Sequence, residues 1–460
     1  MTDSLLKQIL RLALPVALQS VLVSLLGMSD VFMVTGLGAG AVAAIGLGAK
    51  LHFVLIMVMA SLGTAVSILV AQHHGRGNTL AGQAILLLGQ ASGLLLLLPI
   101  AVAFFVFPAA LLALLSDDAE MIQMGTDYLR LTVPLLLLTH IIICYEGGLR
   151  ARSETVVPLI LAAIAIVINI LLNYLLIHGV GPFPKLGVAG VAIASDLARL
   201  IQVLLLLLYL HRRQHSYALG LLLGTWRIAL TQSKAFLTTA WPLTANFTVW
   251  GLGTFVYHGI AAKRGTEALA SLSLISPIEG LYHSLFFGLV SACAVLVGQH
   301  LGRDDFDTAK LLAKRFAVFA PLGSMLVGLL ILAASPVFLP WLLDPEDSLY
   351  QLCMQLLWVM CLSFWIKVLN MTLIVGVLRA GGDAKFVLVT DLVSMWLLAI
   401  PAALTAAFVF DLPYVWVYAM VLVEEIVKCG LIIYRALQGV WLKNLTREVA
   451  VVPASTGAVS

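Results

Sequence analysis

The chain has 460 residues, 62% of them hydrophobic and only 11% charged, with a formal net charge of +3. Soluble globular chains carry about 25% charged residues, so this composition excludes a large soluble domain. The small net charge points to no nucleic-acid partner, and five cysteines without metal-ligand spacing read as packing residues.

A spanning helix needs about 20 mostly apolar residues, and about twelve such stretches use most of the chain. They are predicted at 12–34, 41–71, 80–107, 122–149, 156–178, 187–210, 236–262, 268–299, 308–334, 350–379, 386–410 and 412–437. The first follows MTDSLLKQILR; it is too long for a signal-peptide core and has no small-residue cleavage site. Pro15, near its start, removes a backbone hydrogen bond and is a candidate hinge. Asp30 stands further along, in LVSLLGMSDVFMV. A carboxylate inside the bilayer costs about 2.5–3.5 kcal/mol on insertion scales, which makes Asp30 a candidate for binding and releasing a cation. Its plainer reading is a bond to a neighbouring helix.

The glycine-rich GLGAGAVAAIGLGAK that follows lacks the Gly-Lys-Ser/Thr ending of a phosphate loop. It reads as a tight outer loop and a close-packed helix start. In the fifth segment, NILLN places Asn169 and Asn173 one turn apart on one face. Amides in an apolar run need partners, so they either cross-link helices or hold Asp30 and lend oxygens to an ion. Asp196 and Arg199 are expected to pair on the sixth segment. The 211–235 stretch is basic and partly amphipathic, and reads as a linker on the cytoplasmic membrane surface.

Glu279 and His283 share a face of the eighth segment, and the repeat described below sets His52 opposite Glu279. Polar groups at equivalent depths in two halves are candidates to line a central cavity; an intrahelix pair is the plainer reading. Lys50 and Lys367 either line that cavity or snorkel to an interface. Glu424 and Lys428 are a favourable helical pair, and, with Asp391, read as structural. Asn-X-Ser/Thr matches at Asn246, Asn370 and Asn444 fall in membrane or cytoplasmic positions and carry no weight. No catalytic motif and no nucleotide fingerprint is present.

Lys and Arg in the short loops set orientation. One side carries Lys7, Arg76, Arg150, Arg152, Arg212, Arg213, Arg303, Lys310, Arg379 and Arg435 among others. The other carries Lys185, Lys263 and Arg264, with acidic loops at Asp117, Asp118 and Glu120 and at Asp344, Glu346 and Asp347. Both termini are expected in the cytoplasm. The chain also repeats itself. Pro15 matches Pro242, and VAQHHGR matches VGQHLGR, 227 positions on. GGLRA matches GVLRA at an offset of 229, as two one-residue insertions would produce. Two halves that both start in the cytoplasm are parallel repeats about an axis along the membrane normal, a transporter architecture with its site between the halves. The fold expected is an all-α integral membrane protein: an N-lobe at 1–210, a linker at 211–235, a C-lobe at 236–437 and a tail at 438–460.

The ordered set LALPVALQSVLVSLLGMSDVFMVTGLG, AAIGL, SILVAQHHGRGN and GVLRAGGDAKFV, with Pro401 after it, resembles the MATE (multidrug and toxic compound extrusion) transporters along nearly the whole chain. The resemblance implies twelve helices in two six-helix lobes, a central cavity, and export of organic cations in exchange for protons or sodium. It implies that Asp30 is the coupling acid of the first helix. In the DinF-like branch a fifth-helix asparagine and aspartate assist it; Asn169 matches the first, Asn173 replaces the second, and Ser195 matches a sixth-helix hydroxyl. The NorM-like branch uses acids whose positions here are Trp250 and about Val368, beside Lys367, which argues against a sodium site of that kind. The expectation is a monomeric proton-driven exporter of amphipathic cations in a bacterial cytoplasmic membrane, needing no cofactor or metal beyond the ion gradient. Sodium coupling, a lipid-linked sugar flippase and, more remotely, a membrane-embedded transferase are the alternatives.

Overall fold

A run of apolar segments has one way to satisfy its backbone in lipid, which is to form helices. The computed structural model describes residues 3–35, 39–113, 119–341 and 343–447, and no strand occurs among them. The side chains of Asp30, Lys50 and Glu120, and the whole of Asp117 and Asp118, lie outside the described residues. In chain order the helices are α1 (Asp3–Thr35), α2 (Ala39–Gly75), α3 (Thr79–Val106), α4 (Pro108–Ala113), α5 (Ala119–Leu131), α6 (Val133–Ala151), α7 (Val156–His178), α8 (Val188–Arg212), α9 (Leu219–Leu223), α10 (Trp226–Arg264), α11 (Thr266–Gly302) and α12 (Phe306–Phe338). Then come α13 (Ser348–Met371), α14 (Ala384–Asp391), α15 (Ile400–Phe408), α16 (Tyr414–Ala419) and α17 (Val421–Leu437). Leu95, Val167, Leu330 and Leu397 stand exposed on helix faces, as lipid-facing side chains do.

Ten helical segments among the described residues are long and apolar enough to cross a membrane. The expected spans at 236–262 and 412–437 are helical but fall outside that set. The second is broken between α16 and α17, and α17 carries Glu424, Glu425 and Lys428 within 17 residues. The 122–149 span is likewise split, at Thr132, whose hydroxyl donates back to the carbonyls of Tyr128 (3.0 Å) and Leu129 (3.1 Å) just ahead of Pro134. Within the 211–235 stretch lies α9, and α10 already begins at Trp226.

Pro15 does not break α1, which runs on to Thr35. Proline leaves the carbonyl four residues earlier without its helical donor. That carbonyl belongs to Arg11, and the Thr155 hydroxyl donates to it at 3.2 Å. The candidate hinge is thus pinned from Thr155, the residue just before α7.

The halves interleave at the helix ends that bear the Lys- and Arg-rich loops. Ile9, Leu12 and Ala13 of α1 pack into the core of α11 and α12. Phe236, Ala240 and Leu243 of α10 pack into the core of α2, α3, α6 and α8. The 227-residue offset pairs Ile9 with Phe236 and Ala13 with Ala240, so each half inserts its first helix into the other. Higher up the same crossings carry small polar contacts: Ser61 with Thr244 at 2.8 Å, and Ser24 with Ser284 at 2.9 Å.

The repeated motif keeps its local roles as well. Gly77 and Asp304, one offset apart, both take the left-handed conformation, at φ 78° and 63°. The next residues cap the following helices: Asn78 Oδ1 accepts from the Ala81 N–H at 3.1 Å, and Asp305 Oδ1 from the Thr308 N–H at 3.2 Å. One of the two residues by which the offset drifts to 229 has a physical correlate. A π turn at Thr372–Leu378 follows α13, and the Arg379 N–H reaches the Ile374 carbonyl, five residues back, at 2.9 Å. One inserted residue makes such a turn, and it lies just where GVLRA begins, whereas GGLRA sits in regular α6.

Outside the membrane, the α6–α7 turn is tied to the segment after α8. His215 Nε2 lies 3.1 Å from a Glu154 oxygen, and Arg152 Nε 3.2 Å from the other. Burial opposes ionisation of Glu154, but the His215 hydrogen bond and the His215 and Arg152 charges outweigh it and hold the carboxyl below its usual range. A depressed carboxylate contributes stability that is present above its unfolded pKa and lost as pH falls through the folded one. Glu154→Gln should therefore lower the melting temperature at pH 7, and the gap to wild type should close on acidification below the carboxylate range. Thermal melts across pH in detergent check this; a gap independent of pH overturns it.

Candidate functional site

Two groups of buried polar side chains stand out among the described residues. The first sits on α7 and α8. Asn169 and Asn173 are both buried, at 4% and 0% exposure. Asn173 donates to Asn169 Oδ1 at 3.0 Å, and Asn169 donates to the Ser195 hydroxyl at 3.2 Å. The structure thus brings three of the four expected coupling residues into one hydrogen-bonded line. The fourth, Asp30, is placed only by its helix. Near the C-terminal end of α1, Val34 packs against Ile177 of α7 and Val191 of α8. Asp30 precedes Val34 by four residues, and Asn173 precedes Ile177 by four. Helical periodicity therefore puts both positions one turn below the same contact.

Elsewhere in this half, Gln19 donates to Glu146 at 2.7 Å, and Arg150 Nε to the Glu146 carbonyl at 3.2 Å. Arg199 does not pair with Asp196 in the expected way; it donates to Gln202 at 2.8 Å.

The second group belongs to the other half and is denser in charge. Lys428 lies 2.8 Å from Asp391 and 2.7 Å from Glu424, all three at most 5% exposed. The Tyr257 hydroxyl donates to the other Glu424 oxygen at 2.9 Å. Asn246 donates to Asp391 at 2.5 Å and accepts from Arg379, whose guanidinium also lies over the Phe247 ring. Asn370 donates to the Glu425 carboxylate at 2.7 Å and to its carbonyl at 2.8 Å. In the core of the group, Arg379 and Lys428 balance Asp391 and Glu424, as buried charges require.

The candidate cavity residues divide. Glu279 finds its partner across helices, in Lys367 of α13 at 2.5 Å, and not in His283, which is exposed. Lys367 also stands 5.8 Å from the Phe364 ring centroid. Trp250 is 42% exposed. His52 is 6% exposed, bonded to the Thr132 hydroxyl at 3.1 Å, and flanked by Phe104 and Tyr128, so among the described residues it packs against side chains of the first half. Asn246 and Asn370, which carried no weight as sequons, are core members of the charged group. The usable signal was amides inside apolar runs, and Asn246 is the repeat mate of Gln19.

A family model described as MatE matches residues 15–175 and again 242–405, with starts 227 residues apart. The chain belongs to the MatE family. It is 24% identical to the probable multidrug resistance protein NorM of Thermotoga maritima, covering 96% of this chain and 95% of that one. It is 26% identical to the probable multidrug resistance protein YoeA of Bacillus subtilis, covering 90% and 89%. Among solved structures, a mutant of the Vibrio cholerae MATE transporter VcmN superposes with a TM-score of 0.85 at 19% identity, over 96% of this chain and 99% of that one. A MOP superfamily transporter from Pyrococcus furiosus gives 0.80 at 18%, over 95% and 96%. These likenesses at low identity carry the fold. Members of this family are membrane transporters and not enzymes.

Proposed function

We propose that this MatE chain is a secondary active exporter of amphipathic organic cations, driven by protons entering through the first lobe. The observation that carries the reading is the buried Asn173–Asn169–Ser195 line at the helical level of Asp30. Asp30 is the coupling carboxylate; the amides and the hydroxyl steady its charged form and supply neutral oxygens. The charged group of the second lobe is internally paired, which favours the first lobe as the place where an acid changes state. Positions Trp250 and Val368 hold no acid, so the site sits nearer the DinF-like pattern than the NorM-like one. The relatives named for multidrug resistance support small-molecule drugs as substrates.

A cationic drug and a proton compete for one negative charge. Protonation from outside neutralises Asp30, weakens the hold on the drug, and frees α1 to repack, so each is carried only when the other leaves. Sodium wants several oxygen ligands, and Asn173 in place of an aspartate lowers the charge available to hold it. The test is purified protein in proteoliposomes, with an acid outside and no sodium, then a sodium gradient at equal pH. Export under the pH gradient alone is expected. Transport that needs sodium and ignores pH overturns the ion assignment.

A further inference from the structure

The cytoplasmic closure of the two halves is made by exchanged partners. Gln72, at the end of α2, donates to the Ala380 carbonyl of the second half at 2.8 Å. Gln299, its mate 227 positions on, donates to the Ala151 carbonyl of the first half at 2.8 Å and to Ser153 at 3.1 Å. Ala151 and Ala380 are themselves mates in the GGLRA and GVLRA repeats. Between the two bonds the helix backbones touch. A Cβ on Gly75 would stand 2.0 Å from the Gln299 carbonyl oxygen, and one on Gly302 the same 2.0 Å from that of Gln72. Glycine is required at both positions by this approach. The glutamines are buried, so a lost partner leaves a polar group unsatisfied.

The segment after α17 ties one side of this crossing. The Leu445 N–H donates to Gln72 Oε1 at 2.6 Å, and Arg76 donates to the Thr446 carbonyl at 2.7 Å. Asn444 donates to the Gly302 carbonyl at 3.1 Å, and Arg447 pairs with Asp304 at 2.8 Å. One short strand of chain therefore holds both lobes. Among the described residues, the cross-lobe hydrogen bonds end at Ser24–Ser284; none lies nearer the outer ends.

We propose that Gln72 and Gln299 are the paired bolts of the cytoplasmic gate, and that the 444–447 segment is the tie that biases the protein towards its outward-facing state. The inference rests on the transporter reading only in that a gate needs two states. The distance readout for the bolts uses neither drug nor ion, so its failure is distinct from a failure of the coupling scheme.

Spin labels on Arg213→Cys and Lys310→Cys, both at exposed cytoplasmic positions, report the separation of the lobes in a Cys429→Ser background. In Gln72→Ala/Gln299→Ala, each lost bond should raise the separated population about two- to tenfold. Gly75→Ala, through its methyl against Gln299, should act the same way. A folded double variant with an unchanged distance distribution overturns the proposal. A second arm keeps the bolts intact: a short cleavable cross-link between Arg76→Cys and Thr446→Cys should arrest transport, and cleavage should restore it. Undiminished transport with the cross-link in place overturns the role of the tie.

Discussion

Asp30→Asn should abolish coupled export while leaving the protein folded and in the membrane. Asparagine copies the neutral carboxyl in size and hydrogen bonding but can neither lose nor gain a proton. Asn169 and Asn173, one helix away, offer amide partners that tolerate another amide. Coupling between two ligands typically amounts to about 5–150-fold in affinity, so a site that cannot titrate should lose most of its transport. The variant should still bind drug more weakly than wild type, because the negative charge is gone. Efflux from cells lacking their own exporters, with expression and melting temperature checked, measures the effect. Near-normal efflux would sink the coupling role. Asn169→Ala should give a smaller loss, since it removes one donor to Ser195 and one acceptor from Asn173.

Hydropathy and the repeat made the fold legible, because both are local patterns written along the chain. They failed where polarity was concentrated for structural reasons. α10 and α17 fall short of a spanning composition because they carry Asn246, Tyr257, Glu424 and Lys428 into the charged group. Repeat position predicts depth but not surroundings, which is why Glu279 reaches a lysine across helices while His52 sits among aromatic rings. The Asn169–Asn173 pair was readable because its spacing lies within one helix. The exchange of Gln72 and Gln299 was not, since the partners lie 308 and 148 residues away and hydrogen-bond through a backbone carbonyl, which leaves no trace in side-chain identity. The motif around them, QHHGRGN and QHLGRDD, nonetheless encodes four separable roles: a bolt, a glycine for close approach, a left-handed turn and a helix cap.

Lys428→Met should be among the most destabilising single changes in the second lobe. It removes the one ammonium that touches both Asp391 and Glu424, and leaves two carboxylates buried at 4% and 3% exposure. Removing one partner of a buried ion pair costs about 3–5 kcal/mol, chiefly because the remaining charge is uncompensated. If that is the cause, neutralising the orphans should restore stability. The triple variant Lys428→Met/Asp391→Asn/Glu424→Gln should recover most of the loss, since the Tyr257 hydroxyl can still donate to residue 424 and Asn246 to residue 391. Unfolding in detergent, followed for the single and triple variants, separates charge from packing. A single variant as stable as wild type, or a triple as weak as the single, contradicts the account. A stable triple variant that still exports assigns the group to scaffolding; a stable one that cannot export places it in the transport cycle and contradicts a first lobe that couples alone.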